Sequence, residues 1–409
     1  MKKIILPVVA AVFLSLGAVF LVYRGIPQED QAFKTSEKID FYIMSSKKII
    51  GFERTDKGVN KRSEDKVKLG EQTATHNLQP DSKNNYFFLF EDFTPGPFPS
   101  GPQTVVSLDI EKGSLSKAEY PEGPITGAGF DGKFYYPMTS QPGGGSVHKY
   151  DKSKTLKKQF RFSDKADNVM PAAASDGKYL YVLNNVTNEG DEYTRNHLVT
   201  FDTKNLEKVD ERLIANASPK VANSEGFMDL KLIRNKFYLT NRGNRLKGNP
   251  YEPTPQDKLV ILDKDSLARK EVSLGQNEPH KIAVSNDEKT LAISHANDGF
   301  DPSMVISFYD IDTQKISRLE LKESFMENNS TEDMLINIDF DREGKVWILT
   351  WKNLLVYDLV KEEKIFGLDL AKYDLQYAHL LALKKLPSLS IKYFYPFCCS
   401  FGLKMLSYF

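Results

Sequence analysis

The sequence predicts an all-β chain: a β-propeller of about seven four-stranded blades, preceded by one N-terminal transmembrane helix. Three observations predict it. A tight-turn signal followed by an aromatic or β-branched strand recurs at intervals of about 45 to 59 residues, within the range of propeller-blade periods. A second strand ending in Asp follows these turns. One apolar run stands at the N-terminus, and helical periodicity is absent after Tyr23.

The N-terminal element comes first. Lys2 and Lys3 precede an uncharged, almost wholly apolar run from Ile4 to Tyr23, closed by Arg24. Roughly 20 residues at about 1.5 Å rise span the ~30 Å of bilayer hydrocarbon. The positive flank favours an N-in, C-out orientation, with everything after Arg24 outside the cytoplasm. A cleavable signal has a shorter apolar region and an Ala-x-Ala-like site, whereas Leu16-Gly17-Ala18 is followed by further apolar residues. Residues 1–24 are therefore expected to remain as a membrane anchor, with 25–37 as a linker and 38–385 as the propeller.

Within the propeller, Asp131-Gly132-Lys133 precedes a strand from Phe134, and Asp176-Gly177-Lys178 precedes one from Tyr179. Asp-Gly between alternating strands marks a hairpin, because Gly tolerates the positive φ of the turn. Weaker copies stand at Ser82-Lys83-Asn84, Asn235-Lys236, Asp287-Glu288-Lys289 and Glu343-Gly344-Lys345. The strands ending at Asp109, Asp151, Asp202, Asp263, Asp310 and Asp358 come next. Asp bonds nearby backbone amides in turns, so this recurrence has a local structural cause. A fainter first copy, Phe41–Met44 then Lys48–Phe52, brings the count to about seven.

The stretch Asn277-Glu278-Pro279-His280-Lys281-Ile282-Ala283-Val284-Ser285-Asn286-Asp287-Glu288-Lys289, with Thr290 to Ser294 after it, resembles one repeat of the bacterial YVTN/WD40-like surface propellers. The resemblance implies four-stranded blades around a central channel. That superfamily hosts both binders and enzymes, so it implies no function. The Trp-Asp signature of true WD40 repeats does not occur.

Residues 386–409 break the pattern. After Asp374 no acidic residue appears, and Tyr393, Phe394, Tyr395, Phe397, Cys398, Cys399 and Phe401 cluster. Such an aromatic run without gatekeeping charges is foreign to an exposed blade. It fits a frameshifted or truncated end near Lys385; an outer strand or a membrane-contacting tail is the alternative.

Composition excludes several functions. Lys+Arg 55 balance Asp+Glu 55, so no global field draws nucleic acid. The two cysteines are adjacent, which excludes a disulfide framework and Cys-rich metal sites. No Gly-rich phosphate loop, His-Glu-x-x-His or Gly-x-Ser-x-Gly elbow occurs. Asn297-Asp298-Gly299-Phe300-Asp301 lacks the EF-hand spacing and its terminal Glu.

Two sites are expected, both on the face that carries the b-to-c and d-to-a connections. The first is a binding surface made by long b-to-c loops: Glu91 to Thr104, Pro137 to Ser146, Asn184 to His197, Asn241 to Lys258 and Ser294 to Ser303. Tyr193, Arg195 and His197 from one loop, and Arg242, Arg245, Lys247 and Tyr251 from the next, supply donors and stacking surface for a glycan, peptide or protein ligand. The second is the channel mouth. Counting about nine residues back from each a-to-b turn lands on Glu122, Asp167, Glu278 and Glu332, with Glu225 within a residue. His280 falls slightly deeper, as do His76 and His379. Converging carboxylates repel unless a cation neutralises them, so a divalent cation such as calcium would suit the ring. The main expectation is a binding or interaction module on the long-loop face. The alternative is a divalent-cation-dependent, lactonase-like hydrolase.

Overall fold

The computed structural model describes residues 30–384 apart from 56–57, 68–71, 79–84, 93–102, 121–124, 142–143, 154, 164, 189–193, 216–225, 247–248, 296–303, 329–332, 377 and 379. The segments 1–24 and 386–409 lie outside the described residues. Among the described residues no helix is long and apolar enough to cross a membrane.

Seven antiparallel sheets form seven blades. Blades 2 to 7 each take four consecutive strands, a innermost to d outermost. Their inner strands are Gln72–Leu78, Ile125–Phe130, Ala166–Ser175, Phe227–Ile233, Pro279–Val284 and Leu335–Phe340. Blade 1 is shared between the two ends of the chain: Phe41–Met44, Lys48–Thr55 and Gly58–Lys66 are its strands b, c and d, and Leu380–Leu383 is its strand a. The register runs from Phe41 opposite Leu383 to Met44 opposite Leu380. This pairing closes the ring by joining the two ends of the chain within one blade. Asp30–Ala32, within the stretch expected as linker, adds a fifth strand to the outer edge of blade 2.

Alternation along the strands sends apolar side chains to both faces of each blade, so the cores lie between neighbouring blades. Phe41, Ile43 and Ile50 of blade 1 pack on Trp347, Leu349 and Val356 of blade 7, with Phe41 and Trp347 edge to face at 4.9 Å. Tyr181 and Leu183 of blade 4 meet Phe237 and Leu239 of blade 5. Each such side chain contributes about 1.5–3 kcal/mol by burial. Gly127 lets the inner strands of blades 3 and 4 approach closely, because a Cβ there would lie 2.4 Å from the Met170 carbonyl oxygen.

The a-to-b and c-to-d turns share one face, and aspartates organise both. Asp131 accepts from the amides of Lys133 and Phe134 and from the Tyr136 hydroxyl. Asp176 repeats this with Lys178, Tyr179 and Tyr181, and Asp341 with Glu343, Lys345 and the Trp347 indole. Each Asp at the end of a strand c also accepts turn amides, as Asp109 does from Glu111 and Lys112 and Asp358 from Val360 and Lys361. Their recurrence is structural, as expected.

The same turns lock neighbouring blades at three junctions. Lys264 of blade 5 donates to Asp176 of blade 4 at 2.7 Å, Arg234 of blade 5 to Asp312 of blade 6 at 2.5 Å, and Arg54 of blade 1 lies 3.6 Å from Asp341 of blade 7.

The opposite face differs from expectation in three of its loops. Pro137 to Ser146 is almost entirely strand, reaching Gln141 and resuming at Gly144. In blade 4 strand b continues to Asn188 and strand c begins at Arg195. In blade 5 the expected loop Asn241 to Lys258 is a hairpin, with Lys236–Leu246 paired to Asn249–Asp263. Strand pairing satisfies backbone groups that an irregular loop would leave to water. Blade 7 by contrast turns between Thr350 and Asn353.

Candidate functional site

Every inner strand of blades 2 to 7 is irregular near its start, on the long-loop side. The register shifts fall between Gln72 and Ala74, Val169 and Ala172, Phe227 and Asp229, Pro279 and Ile282, and Leu335 and Asn337, while blade 3 skips Thr126. A bulge bends the strand and withdraws its backbone groups from the ladder. Side chains of the preceding blade take up these groups. Thr126 Oγ1 donates to the Met170 carbonyl at 3.3 Å, Asn185 Nδ2 to Phe227 at 3.2 Å, and Thr240 Oγ1 to His280 at 2.7 Å. The channel mouth thus carries bulges on the inner strands of blades 2 to 7, stitched across the junctions of blades 3 to 6.

Of the residues expected to form sites, the structure gathers three at the junction of blades 5 and 6. Arg242 is half-buried at the base of the blade 5 hairpin, where its amide donates to Gly226 at 3.0 Å. Glu278, at a φ of 58°, donates its amide to Gln256 at 2.8 Å, on the other arm of that hairpin. His280 sits in the adjacent bulge and its carbonyl is held by Thr240. Arg245 and Tyr251 lie on the hairpin itself, Arg245 opposite Pro253. Asp167 is exposed on the inner strand of blade 4, opposite Thr187, and Arg195 opens strand c of the same blade, opposite Val186. His197 Nδ1 is 3.1 Å from Glu211 Oε1 in that blade. His76 lies on the inner strand of blade 2, opposite Leu89. Glu122, Tyr193, Glu225, Lys247, Glu332, His379 and the Asn297–Asp301 stretch lie outside the described residues. Among the described residues no group of three or more His, Cys, Asp and Glu side chains could hold a metal ion.

Sequence reasoning passed over a charged cluster deeper in the channel. Asp229 is buried on the inner strand of blade 5. It accepts from its neighbour's amide, Leu230, at 2.8 Å, from the Ile282 amide of blade 6 at 2.8 Å, and from Lys231 Nζ at 3.3 Å. Burial alone would raise its pKa, but Lys231, Lys281 and the two amides outweigh burial and hold the carboxyl below its usual range. Lys281 is pushed down by burial and by Lys231, with Asp229 pulling it up. Asp229 and Lys231 stand at alternate positions, which puts both on one face of the strand; that spacing was the available signal.

Two buried histidines belong to the scaffold. His295 is 6% exposed, its Nδ1–H donating to the Asn277 carbonyl and its Nε2 accepting from Ser307, both at 2.8 Å. His148 is wholly buried, with Nε2 3.4 Å from Thr139 Oγ1. Burial pushes both down to about 4.

No protein-family model and no curated sequence matches the chain. Solved structures do. The fold is similar to a candidate 6-phosphogluconolactonase from Bacteroides uniformis, with a TM-score of 0.51 and 11% identity over 85% of this chain and 99% of the other. It is also similar to dihydro-heme d1 dehydrogenase NirN, with a TM-score of 0.46 and 12% identity over 84% of this chain and 75% of the other. At these identities the likeness shows the propeller fold alone.

Proposed function

We propose that the protein is a binding module that takes a glycan, peptide or protein partner on its long-loop face, centred on the blade 5 hairpin, and that the apolar segment Ile4 to Tyr23 tethers it to a membrane with the propeller outside the cytoplasm. The observation that carries the binding proposal is the contrast between the two faces. The described turns of one face are short, most of them bonded by an aspartate or serine side chain, whereas on the other face Lys236–Leu246 and Asn249–Asp263 extend as a paired arm. Backbone pairing pre-organises such an arm relative to an irregular loop, which lowers the ordering cost of recognition. Arg242, Arg245 and Tyr251 on that arm combine charge with an aromatic surface. Nothing among the described residues favours cation-dependent hydrolysis over binding.

The test is a panel of glycans and peptides presented to the wild-type protein and to a variant with Arg242, Arg245 and Tyr251 all changed to Ala. The variant is expected to stay folded with a modest drop in melting temperature, since Arg242 is half-buried and such truncations typically cost ~0.5–3 kcal/mol. It is also expected to lose at least about tenfold in affinity for the wild-type ligand, roughly 1.4 kcal/mol. Equal capture by both proteins would move the site off the hairpin.

A further inference from the structure

A cavity of about 270 Å³ occupies the channel between the inner strands of blades 3 to 6. Its two walls are chemically unlike. Blades 3 and 4 present small residues, Gly127, Ala128 and Gly129 facing Ala172, Ala173 and Ala174 in sequence on the next strand, so this side is room rather than chemistry. Blades 5 and 6 present Asp229, Lys231 and Lys281. The lining ends at Ser175, Ile233 and Glu288, beside the a-to-b turns. Inner strands run from the long-loop face to the turn face, so the cavity reaches the face opposite the proposed partner surface. At about 30 Å³ per water the space equals about nine waters.

The charges do not cancel within the cluster. Asp229 spends one oxygen on the Leu230 amide and Lys231, and the other on the Ile282 amide. Lys281 Nζ has no hydrogen bond or ion pair among the described residues, and Asp229 and Lys231 act on it through their fields alone. A lysine serving only as an inter-blade staple would sit on the carboxylate, as Lys231 does. Glu288 at the turn-face end is exposed and feels Arg234, so solvent and that cation screen it. An ammonium ion left under-neutralised beside an apolar, small-residue wall is stabilised by a compact oxyanion.

We infer that this channel is a binding site for a small oxyanion, a phosphate or a carboxylate, held by the Lys281 ammonium with Lys231 beside it. The site is independent of the hairpin surface. The full chain is melted in sodium phosphate, sodium succinate and sodium chloride at matched ionic strength, for wild type, Lys281→Met and Lys281→Arg. Phosphate or succinate is expected to raise the wild-type Tm by several degrees beyond chloride, with the larger rise naming the ligand class. Lys281→Arg is expected to keep the rise and Lys281→Met to lose it. A rise no larger than in chloride, or one that persists in Lys281→Met, overturns the inference. Should Lys281→Met fail to fold, wild-type protein carrying ¹³C-methylated lysines is titrated by NMR, the Lys281 signal being the one missing from Lys281→Arg. Its titration midpoint is expected to move up when phosphate or succinate is added, and an unmoved midpoint overturns the inference equally.

Discussion

His295 and His148 make the interior sensitive to acid. His295 is held as the neutral Nδ1–H tautomer by Asn277 and Ser307, and burial opposes a second proton on Nε2. The folded pKa is about 4 for both, against 6.5 for the free side chain. Between these values the unfolded chain binds the proton and the folded chain does not, so the stability present above pH 6.5 is lost as pH falls towards 4. Each histidine then contributes a slope of up to about 1.4 kcal/mol per pH unit. Urea unfolding at successive pH values is expected to show the midpoint falling through this window, with a shallower fall in His295→Gln. A midpoint flat from pH 6.5 to 4 would mean that these histidines are solvated. At this scale little of the candidate chemistry was legible in sequence. Glu278 and His280 were singled out for their register, but Asp229-Leu230-Lys231 has the look of any half-buried strand, and only the neighbouring blade's Lys281 and Ile282 give it meaning.

Turns and strands were far more legible, because their signals are local. Asp131-Gly132 and Asp176-Gly177 place glycines at φ of 90° and 88°, the left-handed conformation that such a turn needs. The blade 5 hairpin was not legible as strand. Gly243, Pro253 and Pro255 read as loop punctuation, yet all three fall within the paired arms. Strand d of blade 5 pairs only with Lys258 to Leu262, so Pro253 and Pro255 sit where no outer strand asks for their missing N–H groups. The turn interlock makes its own prediction. Asp176 serves two turn amides, the Tyr181 hydroxyl and Lys264 of the next blade, and Tyr181 is 6% exposed. Asp176→Ala is expected to destabilise by about 1–3 kcal/mol, because a largely buried hydroxyl is left without its acceptor. Asp109→Ala, which loses only turn amides and a surface lysine, is expected to lose less in the same urea titration; equal losses would remove the interlock from the stability of the ring.

Over the whole molecule the blade count was legible from the repeat, while the closure was not. Leu380–Leu383 carries no turn signal tying it to Phe41–Met44, and the pairing of residues some 340 positions apart is a tertiary fact. The proposed tether predicts that Met1 to Arg24 stays on the mature protein, with protease reaching residues after Gln28 only from outside the cell. N-terminal sequencing of the mature form checks this, and a soluble species beginning after residue 24 would contradict it. The proposed binding role rests on the hairpin of blade 5. Hydrogen exchange on the wild-type protein, alone and saturated with the tightest ligand of the glycan and peptide panel, tests it most directly. Slowed exchange across Lys236–Leu246 and Asn249–Asp263, with the aspartate-bonded turns unchanged, is the expected result; slowing confined to the turn face, or absent from that hairpin, would contradict it.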